Sequence, residues 1–278
     1  MDWRGLVRLI ACAAALGVVV LPAAAQARVV EPVWVNKQVN VPSGQTKTVT
    51  LKCPAHAAAL NGAAPNAASS IPNPDARRWT FRFLRSGSAV LRCVRLRLPH
   101  TVRNVNLEVG TIFEPVFELP PGFTQTIFAR CHSGEVPTGW GLERRTDTNG
   151  LTIAGATPKP HGWLFRVKNT ATIGAAGNLA IRCLDKKVRA PHGLRHRFGI
   201  RVASFNERIE GGGTTIRGCR TNEYSVATGV DLPDSDLRFT GTTLFGPRNG
   251  EWSFSSTHGS TPVTTSLICL ARTTGFRR

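Results

Sequence analysis

Hydrophobic and polar positions alternate along much of this chain. In Trp79-Thr80-Phe81-Arg82-Phe83 every second residue is aromatic. A period of two is that of a β-strand, whose side chains point to opposite faces in turn. The three rings therefore share one face, and Thr80 and Arg82 the other. The same spacing recurs at Trp163-Leu164-Phe165 and Trp252-Ser253-Phe254. No stretch after the N-terminal leader sustains the 3.6-residue period of a helix. Ala55 to Ala68 is alanine-rich, but Pro54, Gly62 and Pro65 interrupt it, and it reads as loop. With 27 glycines and 18 prolines supplying short turns, the expected class is all-β.

The N-terminus has the grammar of an export signal. Arg4 and Arg8 precede an apolar run from Leu9 to Leu21, and Ala25-Gln26-Ala27 is a small-x-small cleavage site. Residues 1–27 are read as a cleaved signal peptide, with the mature chain starting at Arg28. No later apolar run reaches the roughly 18 residues of a membrane span, so no transmembrane segment is expected after cleavage.

Six cysteines follow the leader: Cys53, Cys93, Cys131, Cys183, Cys219 and Cys269. An even count in an exported chain points to three disulfides, and six cysteines allow fifteen connectivities. An internal repeat selects one. Each of Cys93, Cys183 and Cys269 follows a Trp-x-Phe triplet, has an aliphatic residue two before it (Leu91, Ile181, Leu267) and another directly after (Val94, Leu184, Leu270). Gly44, Gly122 and Gly211 precede Cys53, Cys131 and Cys219, and Gly62, Gly139 and Gly229 follow them at similar distances. One module repeated three times accounts for this register. The expected bridges are Cys53–Cys93, Cys131–Cys183 and Cys219–Cys269. The expected organisation is three tandem small β-sandwich modules at 28–100, 101–190 and 191–278, with Trp79, Phe81, Trp163, Phe165, Trp252 and Phe254 in their cores. Because Trp79 lies much nearer Cys93 than Cys53, the tryptophan strand and the second-cysteine strand are expected to be hairpin neighbours.

A Cys…Trp…Cys set of strands resembles immunoglobulin-like sandwiches, but there the Trp follows the first cysteine closely, whereas here it precedes the second. The chain also loosely resembles the exported Cys-Pro-x-Gly repeat proteins of high-GC Gram-positive bacteria, whose repeats open with a Gly turn and a Cys and close with Trp, then Cys. Cys53-Pro54 alone keeps the Cys-Pro step. The resemblance covers the three modules and implies no activity.

The formal charge is +18, of which the leader (Arg4, Arg8, Asp2) holds +1, leaving +17 on the mature chain. Arginine supplies 28 of the 35 basic residues, and Arg77, Arg78, Arg82, Arg85, Arg92, Arg95 and Arg97 cluster in the first module. The expected partner is an anionic cell-wall or extracellular polymer, held by outward-facing Arg78, Arg82 and Arg92 on paired strands. The competing reading is arginine enrichment from a GC-rich genome. Nucleic acid is disfavoured, because the aromatics that could stack bases are better used as core. Simple alternation puts Arg95 on the cysteine face, so a bulge or strand end is expected near Val94.

The sequence offers little for catalysis. Glu207, Glu210, Glu223, Asp231, Asp234 and Asp236 are the densest acids, with no spacing that singles out a pair. His192 and His196 are four apart, but Pro191 and Gly193 argue against the helix that would align them on a metal. His258-Gly259-Ser260 reads as a hairpin tip. No nucleophile elbow, phosphate loop or Cys-x-x-Cys occurs. The expected function is a secreted, non-enzymatic binding or structural protein of the cell envelope or extracellular space, without metal or cofactor. The alternative is a secreted hydrolase or enzyme inhibitor on β-modules.

Overall fold

A computed structural model describes residues 29–65, 67–97, 107–145, 150–189, 195–210, 213–233, 238–255 and 260–277. Residues 1–28, which include the expected leader, lie outside these, and every regular element among the described residues is a β-strand. No helix among them is long and apolar enough to cross a membrane.

The first block holds β1 (Val29–Val39), β2 (Lys47–Lys52), β3 (Ala58–Ala63), β4 (Ala67–Pro72), β5 (Arg78–Phe83) and β6 (Gly87–Arg97). These form two antiparallel layers, ordered β1-β6-β3 and β2-β5-β4. Alternation on β5 sends Trp79, Phe81 and Phe83 inward, all fully buried, against Leu91 and Cys93 of β6. The Cys53–Cys93 disulfide ties one layer to the other. At Pro42-Ser43-Gly44 the Gln45 N–H donates to the Pro42 carbonyl at 3.1 Å, and Gly44 takes φ 73°, which a residue without Cβ adopts at no steric cost.

The second block repeats this plan with β7 (Val109–Phe113), β8 (Phe117–Leu119), β9 (Thr124–Arg130), β10 (Glu135–Arg144), β11 (Leu151–Lys159), β12 (Gly162–Asn169) and β13 (Ala175–Asp185). After β14 (Lys187–Arg189) and β15 (Arg195–Arg197), the third uses β16 (Ile200–Glu210), β17 (Gly213–Gly218), β18 (Glu223–Asp231), β19 (Arg238–Phe245), β20 (Asn249–Ser255) and β21 (Ser260–Ala271). The last strand, β22 (Gly275–Arg277), pairs with β15 in a small sheet with β14. Disulfides Cys131–Cys183 and Cys219–Cys269 stand where Cys53–Cys93 stands in the first block. The register irregularities agree as well. β3, β10 and β18 each slip one residue past the cysteine of the facing strand, and β4, β11 and β19 each slip once against the aromatic strand.

The blocks are joined through their sheets. β4 meets β10 at Ser70↔Leu142, giving a seven-stranded sheet in the order β2-β5-β4-β10-β13-β7, with β8 also on β13. β11 meets β18 at Gly155↔Asp231 and Ala156↔Val230, giving a six-stranded sheet in the order β16-β21-β18-β11-β12-β9. Glycine permits the first junction: a Cβ at Gly139 would lie 2.1 Å from the Leu60 carbonyl oxygen, and one at Gly141 2.2 Å from that of Ser70. The largest core cluster draws on all three blocks, from Val30 and Leu96 through Trp163 and Leu184 to Ile268 and Leu270.

Several sequence expectations are corrected. Ala55 to Ala68 is not one loop: it contains β3 and the start of β4, short-residue strands whose weak β-propensity is outweighed by pairing and burial. The tryptophan and second-cysteine strands are not hairpin neighbours. β5 and β6 lie in different layers, each already paired on both sides, with the disulfide spanning between them. No bulge interrupts the β1–β6 register near Val94; the irregularity is on β3, and Arg95 ends the cysteine face in an ion pair with Glu31 at 2.9 Å. The third Trp-x-Phe is displaced by one strand period. Trp79 and Trp163 face Leu51 and Ala129, two residues before their cysteines, but the residue facing Arg217, two before Cys219, is Gly250. Trp252 thus takes the place of Phe81 and Phe165. A shift of two keeps its ring inward, and its tip fills the space a side chain at 250 would need.

Candidate anion-binding groove

The outer face of the seven-stranded sheet is polar because the alternation that buries the β5 aromatics turns its other residues out. Arg78, Thr80 and Arg82 face Lys52, Thr50 and Thr48 across β2, and the Thr50 and Thr80 hydroxyls are 2.9 Å apart. On the other side lie Ser69 and Ile71 of β4, then the end of β10. Between β5, β4 and β10 runs a groove of about 390 Å³ lined by Thr48, Thr80, Arg82, Glu143, Arg144 and Arg145, with Ser69 and Ile71 at its floor. Among the described residues, three guanidinium groups and one carboxylate line it.

The arginines are held differently. Arg82 donates to the Arg144 carbonyl at 2.6 Å. Arg144 is braced by its Nε donating to the Leu151 carbonyl and its Nη1 to that of Ala68, each at 2.9 Å. Burial lowers the pKa of Arg144, and the nearby charge of Arg82 lowers it further. Arg145 is exposed. An oriented set of like charges beside threonine hydroxyls suits an anion carrying several acceptor oxygens.

Of the three arginines read from the sequence, Arg82 lies in this groove. Arg78 is on the same outer face but ion-paired with Asp75, whose carboxyl also accepts from the Arg77 N–H at 2.8 Å. Burial opposes ionisation of Asp75, but these bonds outweigh it and its pKa is lowered. Arg92 is a correction. It points away from its block's interior, yet it is only 1% exposed, because the third block covers that face. It donates to the Ser225 carbonyl, to the Ser225 hydroxyl at 2.9 Å and to the Gly246 carbonyl at 3.0 Å. Since β5 and β6 are unpaired, no flat basic surface joins Arg82 to Arg92. Arg144 and Arg145 lie outside the arginine cluster at 77–97. Their one signal is two adjacent arginines in the variable stretch between Cys131 and Trp163.

The second junction has a depression of about 470 Å³ in the corresponding place, but its charges balance. Arg166, the register equivalent of Arg82, pairs with Asp231 at 2.9 Å. Glu207 is engaged by Arg217 at 3.0 Å and by the Thr265 hydroxyl at 3.1 Å.

Two clusters of candidate metal ligands occur among the described residues, Cys131/Glu135/Cys183 and Cys219/Glu223/Cys269. In both the cysteines form disulfides, so their sulfurs are not thiolate ligands. Glu135 and Glu223 instead cap turns, accepting from the His132 N–H at 2.9 Å and the Arg220 N–H at 3.0 Å. His192, His258, Asp234 and Asp236 lie outside the described residues, as does the side chain of His196. No protein-family model matches this chain, and no curated protein matches it in sequence.

Proposed function

We propose that this chain is an exported, non-enzymatic binding protein that attaches to an anionic polymer of the cell envelope or extracellular space through the groove between β5, β4 and β10. In this reading residues 1–27 are a cleaved leader, and 28–100, 101–190 and 191–278 are three copies of one disulfide-linked β-sandwich module. Three disulfides suit an oxidising compartment, and the matched register slips support the repeat. The observation that carries the function is that Arg82, Arg144 and Arg145 line one groove of the sheet with a single carboxylate among the described residues. Such contacts release counterions and weaken steeply with salt.

The test is Arg82→Glu with Arg145→Glu, leaving Arg144 to brace its carbonyls. Retention on isolated wall polymer and on an anionic resin is measured across a salt series. The control is Arg130→Glu with Arg208→Glu, an equal charge change at exposed positions elsewhere. The groove variant should elute at clearly lower salt than the control. Equal elution of the two would leave only net charge, and the groove would not be a binding site.

A further inference from the structure

The three blocks meet at three junctions, and among the described residues the first two are closed by pairing between strands of their sheets, while the first and third blocks are bridged at Val29↔Thr273. Ser70↔Leu142 and Ala156↔Val230 hold the same register position at the first two. At the third, the matching positions fall on Thr242 of β19 and Ala64 beyond β3, and no strand pairing joins them. The approach is made instead by Gly241, where a Cβ would lie 3.0 Å from Cβ of Pro65. A cavity of about 140 Å³ occupies the space left open.

Its walls are mixed in a particular way. Leu142, Ile153, Phe239 and the ring of Trp140 form an apolar side, and Asn61, Ser70, Thr152, Thr228 and Thr242 a polar one. Trp140 is fixed, its Nε1–H donating to the Thr228 carbonyl at 2.9 Å and its ring edge-on to Phe165 at 5.7 Å. Arg144 supplies the one charge on the lining. Two carbonyls hold its Nε and Nη1, and its Nη2 has no acceptor among the described residues. No described carboxylate forms an ion pair with it. A partly buried cation oriented by backbone, with no counter-charge among the described residues and with aromatic and aliphatic side chains beside it, is a recognition element for a carboxylate on a small apolar body.

We propose that this cavity binds a small monocyclic carboxylate, its ring among Trp140, Ile153 and Phe239 and its carboxylate on Arg144. Apolar cavities of about 150 Å³ accept a benzene ring, which sets the size class. The site goes beyond the polymer groove: it shares Arg144 with the groove, but Trp140, Ile153 and Phe239 line the cavity alone, and Thr240→Trp tests it alone.

The experiment titrates the full chain with benzoate and with benzamide, its neutral isostere, by NMR to about 10 mM, the range of weak fragment binding. Benzoate should saturate, show ring-proton contacts to the Trp140 indole, and bind about ten-fold or more tighter than benzamide, the value of a charge-assisted bond. Thr240→Trp, at an exposed residue of the lining, should plug the cavity and abolish binding without changing retention on the anionic resin. Arg144→Gln should bring benzoate down to benzamide's affinity. If Arg144→Gln fails to fold, the Thr240→Trp and benzamide comparisons still decide. Absence of saturation, equal affinity for the two probes, or benzoate binding that survives Thr240→Trp would overturn the proposal.

Discussion

Arg92 and Arg182 hold the same place, one residue before Cys93 and Cys183, and each sends its guanidinium into a different block. Arg92 reaches Ser225 and Gly246 in the third block, and Arg182 reaches the carbonyls of Asp75 at 3.1 Å and Arg78 at 3.0 Å in the first. Burial pushes Arg92 down to about 9 and Arg182 to about 10, so each charge depends on the acceptors it reaches. The third equivalent, before Cys269, is Ile268, which joins the shared core instead.

Arg92→Met should therefore cost on the order of 3 kcal/mol, because charge-assisted bonds are lost and buried carbonyls give up a donor. Arg92→Lys should recover little, since one ammonium cannot span Ser225 and Gly246 as a planar fork does. Urea denaturation of both variants checks this.

The tryptophans differ in their hydrogen bonds. Trp79 Nε1 donates to the Ser70 hydroxyl at 3.0 Å and Trp252 Nε1 to the Gly229 carbonyl at 2.8 Å, but buried Trp163 Nε1 has no partner among the described residues. The residue matching Ser70 in the second block is Ala156. Ala156→Ser should stabilise the fold by about 1 kcal/mol, and Ser70→Ala should destabilise it by about 1–3 kcal/mol. A downfield shift of the Trp163 indole proton in Ala156→Ser would mark the new bond; an unchanged shift would show that the hydroxyl does not reach it.

Gly250 should not accept a side chain. Its Cβ would meet Leu267 Cδ2 at 2.7 Å and Thr228 Cγ2 at 2.8 Å, while the displaced Trp252 ring already fills the pocket. Gly250→Ala is expected to lose about 1–3 kcal/mol by overpacking, read from its denaturation midpoint.

Shared sheets and a core spanning all blocks couple their unfolding. Trp79→Ala should cost about 3–5 kcal/mol and move one cooperative transition of the whole chain. Scanning calorimetry that resolved a separate low-temperature transition for the first block would contradict this coupling.

Glu223 accepts from Arg201 at 3.0 and 2.6 Å, and these bonds hold its carboxyl below the ordinary 4.5 against the opposing effect of burial, with the Arg220 N–H adding to the shift. Its folded pKa is thus lower than its unfolded one. Its stabilisation is fully present above the ordinary carboxylate range and is lost as pH falls through the folded value. Glu223→Gln should flatten the acid limb of a stability–pH curve; a limb as steep as in the parent chain would assign acid sensitivity to other groups.

Local chemistry alone made part of this molecule legible. Alternation at Trp79 to Phe83 marks a strand with one apolar face whatever surrounds it, and the spacing of six cysteines against three Trp-x-Phe triplets points to the three bridges the structure contains. What lies outside a block was decided only in three dimensions. Alternation says that Arg82 and Arg92 leave their own core, but not that one ends in a groove and the other under a neighbouring block. β3 and β4 were obscure because alanine and glycine carry little β-propensity. The same small residues let neighbouring backbones approach closely, as Gly139 and Gly141 do beside Leu60 and Ser70. Arg144 and Arg145 join Arg82 only because β4 pairs with β10, a contact between residues some 70 positions apart. Strand pairing at that distance is set by which edges can be buried together, a property of the folded surface that no local pattern encodes.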